Sequence, residues 1–253
     1  MEAFFSGQYS ARGWSYESLK NFRQISPAVQ NHLKLVCAFI PVDFPVYLTL
    51  CSALVSAAAG VYLHILFNVG GTLTMLGCFL GISVISMTPP YAEKKRFGLL
   101  MGTALLQGAS IGPLFEVILN LDSRIILNGL VGTSLAFACF SGAAIVAKRR
   151  EFLYLGGFLS AFLSVLLWMQ FASTIFGQNA TMFNVELYLG LLVFLGYIVF
   201  DTQVIIEKAH RGDLDYVKHA LTLFTDFVAI AVRILIIMGG VAALPSLARG
   251  GES

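Results

Sequence analysis

The 253-residue chain is 57% apolar and only 12% charged, against about a quarter charged in soluble proteins. Windows such as Phe97–Leu121 and Phe152–Phe176 carry almost no charge and exceed the roughly 18–20 residues that cross a bilayer's hydrocarbon. This excludes a soluble globular domain, and the lack of alternating polarity in ten-residue segments excludes a membrane β-barrel. A net charge of +2 suggests no nucleic-acid partner.

Taken in order, residues 1–45 read as a cytosolic N-terminal segment without an apolar signal-peptide core, so the first span is expected to act as the insertion signal. Seven spans are predicted: Val46–Phe67, Gly71–Pro90, Phe97–Leu119, Ile125–Ala147, Phe152–Phe176, Val185–Ile206 and Ala220–Met238. The connections are short, so neighbours should pack antiparallel as one all-α polytopic bundle over residues 46–238. Residues 239–253 read as a short flexible tail.

Basic residues set the orientation. Arg12, Lys20, Arg23 and Lys34 precede the first span, and Lys94, Lys95 and Arg96 follow the second. Lys148, Arg149 and Arg150 follow the fourth, and Lys208, Arg211 and Lys218 follow the sixth. That places 13 of the 16 Lys and Arg on one side, and the positive-inside rule puts the N-terminus in the cytosol.

Several features have plain structural readings. Cys37, Cys51, Cys78 and Cys139 lack metal or disulfide spacing and read as small packing residues. The pairs Gly77/Gly81, Gly98/Gly102 and Gly108/Gly112 are one helical turn apart and read as sites of close helix contact. Pro113 should loosen the third helix, as a kink or as a hinge. Gly108-Ala-Ser-Ile-Gly112 formally matches a hydrolase elbow at Ser110, but that motif needs a strand-to-helix turn. No enzymatic activity is expected. His64, His210 and His219 read as interface or loop residues, and Arg233 as snorkelling outward. Asn179-Ala-Thr181 matches a glycosylation acceptor close to the membrane.

The chemistry concentrates in two carboxylates inside apolar runs. Asp201 lies six residues before Glu207, and Asp226 eight residues after Lys218. At about 1.5 Å per residue, both sit on the order of 10 Å inside the cytosolic boundary. An ionised Asp at a helix centre costs roughly 2.5–3.5 kcal/mol on insertion scales unless it faces protein or water. As neighbours at matched depth they can share a proton, switching between a hydrogen-bonded and a repelling form. Ionised, they offer hard oxygens for a transient Ca²⁺ site, since that ion takes about 6–8 oxygen ligands. The bland alternative gives each Asp a separate backbone or hydroxyl partner. Glu116 and Glu186, near the opposite membrane face, are candidates for a lumenal vestibule.

Phe200-Asp-Thr-Gln-Val-Ile-Ile-Glu-Lys208, Leu223-Phe-Thr-Asp-Phe227 and Gln107-Gly-Ala-Ser-Ile-Gly-Pro-Leu114 resemble the Bax inhibitor-1 family, also called the transmembrane Bax-inhibitor-motif family. The likeness covers about Ser26–Cys37 and Thr49–Met238 and is nearest to plant members. It implies a seven-helix protein of the endoplasmic-reticulum membrane that suppresses programmed cell death. It also implies a pH-sensitive Ca²⁺ leak governed by a paired-aspartate sensor, which Asp201 and Asp226 match. In bacterial relatives a basic residue from the second span's end joins that latch; here Ala92–Arg96 leaves the choice open.

Two departures stand out. Around Phe39-Ile-Pro-Val-Asp-Phe-Pro45 about ten residues are inserted relative to plant members, and its prolines and Asp43 should break the helix at the interface. The chain also ends without the family's Lys-rich tail, so calmodulin is not an expected partner. Lipids, Ca²⁺, protons and other membrane or cell-death proteins are, and no resident cofactor is implied. The alternative reading is a non-conducting scaffold that restrains death signalling through protein partners.

Overall fold

The computed structural model describes residues 27–147, 152–177, 179–211 and 215–250. The basic residues at 12–23 and 148–150, and residues 212–214, lie outside them. Within the described residues, seven helices follow in order: α1 Pro27–Phe67, α2 Thr72–Met87, α3 Glu93–Leu121, α4 Ser123–Val146, α5 Leu155–Phe176, α6 Ala180–His210 and α7 Tyr216–Gly250. There is no strand among the described residues. Among the described residues, six helical stretches are long and apolar enough to cross a membrane: Pro45–Phe67, Glu93–Leu121, Ser123–Val146, Leu155–Phe176, Ala180–Ala209 and Tyr216–Val241. The protein is a multi-pass, all-helical membrane protein. The chain divides into two compact units. In the first, ending at Asp43, the described residues are helical from Pro27; the second, from Phe44 onward, holds the rest of α1 and all of α2 to α7.

These segments form helices because a bilayer offers their backbone groups no water, so every N–H and C=O must be satisfied within the segment. Their outward side chains are apolar too, Leu73, Trp168 and Phe176 being largely exposed. Punctuation is local. Asn68 at φ 50° closes α1, and Gly177 at φ 84° closes α5. The Asp122 carboxylate caps α4 by accepting the Arg124 N–H at 2.8 Å.

Three elements differ from expectation. The helix containing the first span does not break at the inserted prolines, since α1 runs on through Pro41 and Pro45. A proline removes one backbone hydrogen bond, a loss that membrane helices tolerate when neighbouring groups re-satisfy the carbonyl. The second apolar segment is helical for only 16 residues, about 24 Å against a hydrocarbon layer of about 30 Å. Thr88-Pro89-Pro90 stops it, because two successive prolines supply no N–H. In place of a flexible tail from residue 239, α7 continues to Gly250. Glycine costs a helix only about 1 kcal/mol, which the following Val-Ala-Ala-Leu run of helix-compatible residues accommodates.

The principal core lies where α1, α2, α3, α4, α6 and α7 meet, around Ile85, Leu100, Phe137, Ile198, Phe224 and Ile230. A smaller cluster of Ile118, Ile125 and Leu235 seals α3, α4 and α7 toward the opposite end. Leu159 and Leu166 fasten α5 onto Val193 of α6. The closest crossing is α1 on α3: any Cβ at Gly108 would strike the Ala57 carbonyl, and one at Gly60 the Leu105 carbonyl. Gly77 and Gly81 face Leu106 and Thr103, whereas Gly98 and Gly102 face open space and make no such contact.

Candidate functional site

Polar side chains fix the roll of α6. Thr202 is buried and its hydroxyl lies 3.2 Å from that of Ser141, which in turn meets the Tyr47 hydroxyl at 2.5 Å. Gln203, also buried, donates to the Ala144 carbonyl (3.3 Å) and accepts the Phe152 N–H (3.1 Å). These bonds tie α6 to α1, α4 and the start of α5. On α7, Phe224 is buried in the core and Phe227 sets its ring edge-on to Phe137, centroids 5.6 Å apart.

With both helices so held, Asp201 and Asp226 come together, their carboxyl groups close enough to act on each other. Asp226 is 5% exposed, and its Oδ2 is buried without a hydrogen-bond partner. A hydrogen bond between two carboxyls requires that one of them carry a proton, because two carboxylates have only acceptors. Tyr197, one turn before Asp201, lies within the electrostatic reach of both acids, and Lys208 within that of Asp201. Neither residue stands out in the sequence, although Tyr197 at i−4 from Asp201 shares its helix face.

The basic stretch before the third long span resolves into one buried side chain. Arg96 is 3% exposed and bonds Asp215 at 2.7 Å, joining the start of α3 to the start of α7. Asp215 also caps α7, its Oδ1 accepting the Lys218 N–H at 3.1 Å. The buried base thus meets an acid eleven residues before Asp226 and not the aspartate pair itself. The ends of α6 and α7 that face their connection also carry buried polar groups. Glu207 and His219 are buried, and Arg211 bonds Glu207 at 3.1 Å.

At the other end, the two candidate vestibule acids have different neighbours. Glu116 is exposed, with Oε2 3.6 Å from Nε2 of the buried His64. Glu186 exerts its charge on Arg233, and its Oε2 is buried without a hydrogen-bond partner. Arg233 does not snorkel outward. Its guanidinium lies 4.5 Å from the Phe194 ring centroid and donates to the Ala229 carbonyl at 2.9 Å, against Gly190, where no Cβ intervenes. A cation over an aromatic face in a partly desolvated niche is held favourably. Pro113 sits inside an otherwise continuous α3 and deprives the Ala109 carbonyl of its helical donor; Gly70 lies against that carbonyl. Ser110 lies within the helix and donates to the Gln107 carbonyl at 2.8 Å, so it stands on no strand-to-helix elbow. Among the described residues, no group of three or more His, Cys, Asp or Glu could jointly hold a metal ion. The two aspartates and Tyr197 would meet a divalent cation with few oxygens, leaving water to complete its shell.

The family model described as "Inhibitor of apoptosis-promoting Bax1" matches residues 42–242. Bax inhibitor 1 of rice (Oryza sativa subsp. japonica) is 59% identical over 94% of this chain and 93% of its own length. Bax inhibitor 1 of Arabidopsis thaliana is 59% identical over 93% of this chain and 92% of its own. The mouse protein of that name is 38% identical over 88% and 92%. With a family match across most of its length and relatives this similar, the chain belongs to the Bax inhibitor-1 family.

Proposed function

We propose that this protein is a suppressor of programmed cell death in the endoplasmic-reticulum membrane, acting as a proton-sensitive Ca²⁺ leak or exchanger. The relatives' names and the family's description support the suppression of cell death, and the placement in the endoplasmic reticulum rests on the family resemblance. The observation that carries the proton-sensitive leak is the approach of the two carboxyl groups between α6 and α7, with Asp226 buried in the bundle. In this reading α2 also crosses, giving seven spans with the N-terminus in the cytosol, and the protein binds and conducts ions without being an enzyme. Ca²⁺ is cargo, and no resident cofactor is needed.

The sign of the pH response follows from the proton count. One shared proton joins the two acids; removing it leaves two like charges in contact, roughly 4 kcal/mol of repulsion at 4 Å if the effective dielectric constant is about 20. Raising the pH therefore pushes α6 from α7, and lowering it closes them. Ca²⁺ efflux from proteoliposomes should rise with pH for the intact chain. Asp201→Asn and Asp226→Asn each remove the like-charge contact and should flatten the profile. An unchanged profile in both variants would take the gate away from these residues.

A non-conducting scaffold is the second reading. It is favoured by α5, whose most apolar window is only 11% buried against 28% or more in each of the other five spans. That leaves Trp168 and Phe171 open to a membrane partner. Full protection of cells by the double Asn variant, with no flux in liposomes, would select it.

A further inference from the structure

A half-open cavity of about 260 Å³ lies between α2, α3 and α7, and the aspartate pair is not among its lining residues. Ile111, Phe224 and Val232 supply much of an apolar wall, and Thr103, Gln107, Thr225 and Arg233 are the polar part. Much of that polarity is already engaged. The Thr103 hydroxyl donates to the Leu99 carbonyl and the Thr225 hydroxyl to that of Thr222, both at 2.7 Å. The Gln107 side-chain carbonyl accepts from the Cys78 thiol at 2.8 Å, which leaves its amide N–H groups. Arg233 gives one N–H to Ala229 and retains most of its five donors. The face offered to a ligand is therefore donor-rich and carries one positive charge beside an apolar wall. Glu186 answers that charge electrostatically but does not line the cavity.

We propose that this cavity binds an anionic amphiphile drawn from the bilayer. Its carboxylate or phosphate head would meet Arg233 and Gln107, with the acyl chain along Ile111, Phe224 and Val232 and out between the helices. Charge complementarity selects the head, because Arg is suited to carboxylate and phosphate groups alike. The volume, near the roughly 300 Å³ lower bound for small-molecule sites, admits a head and the first part of a chain. Entry is eased at α2. That helix reaches only about 24 Å along its axis, so the bilayer beside it must thin or let headgroups dip inward. The site stands whether or not the protein conducts Ca²⁺.

The full chain in phosphatidylcholine nanodiscs should be titrated separately with labelled oleate, phosphatidylglycerol and oleyl alcohol. Saturable binding is expected for oleate, for phosphatidylglycerol, or for both. Oleate alone identifies a free acid as the ligand, and phosphatidylglycerol a phospholipid. Oleyl alcohol, with the same chain and no charge, should bind at least tenfold more weakly than oleate. Arg233→Gln should weaken anion binding about tenfold to a hundredfold, the range for a hydrogen bond to a charged group; Arg233→Lys should keep most of it. Ile111→Trp, which fills the cavity and leaves Arg233 in place, should abolish saturable binding, and it decides the matter should Arg233→Gln fail to fold. No saturable anion binding, equal binding of oleyl alcohol, or undiminished binding in a folded Arg233→Gln or in Ile111→Trp overturns the proposal.

Discussion

Arg96 and Asp215 place two charges 2.7 Å apart, with side chains 4% and 10% exposed, at the point where α3 and α7 begin. Removing one member of a buried pair strands the other and costs about 3–5 kcal/mol. Arg96→Met should therefore destabilise the folded protein by about that much in reversible unfolding from detergent micelles. Asp215→Asn keeps a side-chain oxygen for the cap, whereas Asp215→Ala loses cap and charge together and should be worse by about 1 kcal/mol. Equal losses for Asn and Ala would deny the carboxylate its second task. The sequence exposes residues of this kind unevenly. Asp201 and Asp226 are legible because a carboxylate inside an apolar run is costly unless it has a partner, and spacing alone gives their matched depth. Arg233 reads as snorkelling in the sequence because the niche that holds it is assembled from Phe194 and Gly190 of another helix. Arg96 is visible there only as one of a basic run, since the acid that buries it is more than a hundred residues away.

Helix contacts carry the next scale. Three glycine pairs share one spacing, yet Gly108 and Gly112 meet Ala57 and His64 while Gly98 and Gly102 meet nothing. Spacing locates a face of a helix but not what that face is turned toward; only the other helices decide that. The contrast predicts opposite results for one substitution. Gly108→Ala drives a methyl group into the Ala57 backbone, which cannot swing aside as a side chain can, and should cost about 1–3 kcal/mol or more. Gly98→Ala adds a methyl in open space and should stabilise α3 by up to about 1 kcal/mol through helix propensity. Unfolding midpoints of the two variants, measured side by side, should fall on opposite sides of the parent. Helix ends obey the same division. Asp122 and Gly177 are ordinary local punctuation, but the persistence of α1 through Pro41 and Pro45 runs against proline's local preference.

Charge and length together bear on how the whole molecule threads the bilayer. Six helical stretches among the described residues have the length and apolarity of spans, and the topology turns on α2, whose 16 residues fall short of the roughly 20 that a straight crossing needs. Were α2 not to cross, Lys94, Lys95 and Arg96 would lie across the membrane from Lys34 and the bases before it. The bases following the fourth and sixth predicted spans would change sides with them, dividing the positive charge between two faces against the usual bias. A crossing α2 keeps all these clusters together, at the cost of local thinning worth fractions of a kcal/mol per Å of mismatch. Single cysteines at Asn68 and Tyr91, placed in a chain whose own cysteines are replaced by alanine or serine, make the two cases separable in sealed microsomes. An impermeant maleimide added outside should label the Tyr91→Cys chain at once and the Asn68→Cys chain only after the membrane is opened. Labelling of neither from outside until the membrane is opened would make α2 re-entrant, reverse the five helices that come after it, and turn the aspartate pair toward the opposite compartment.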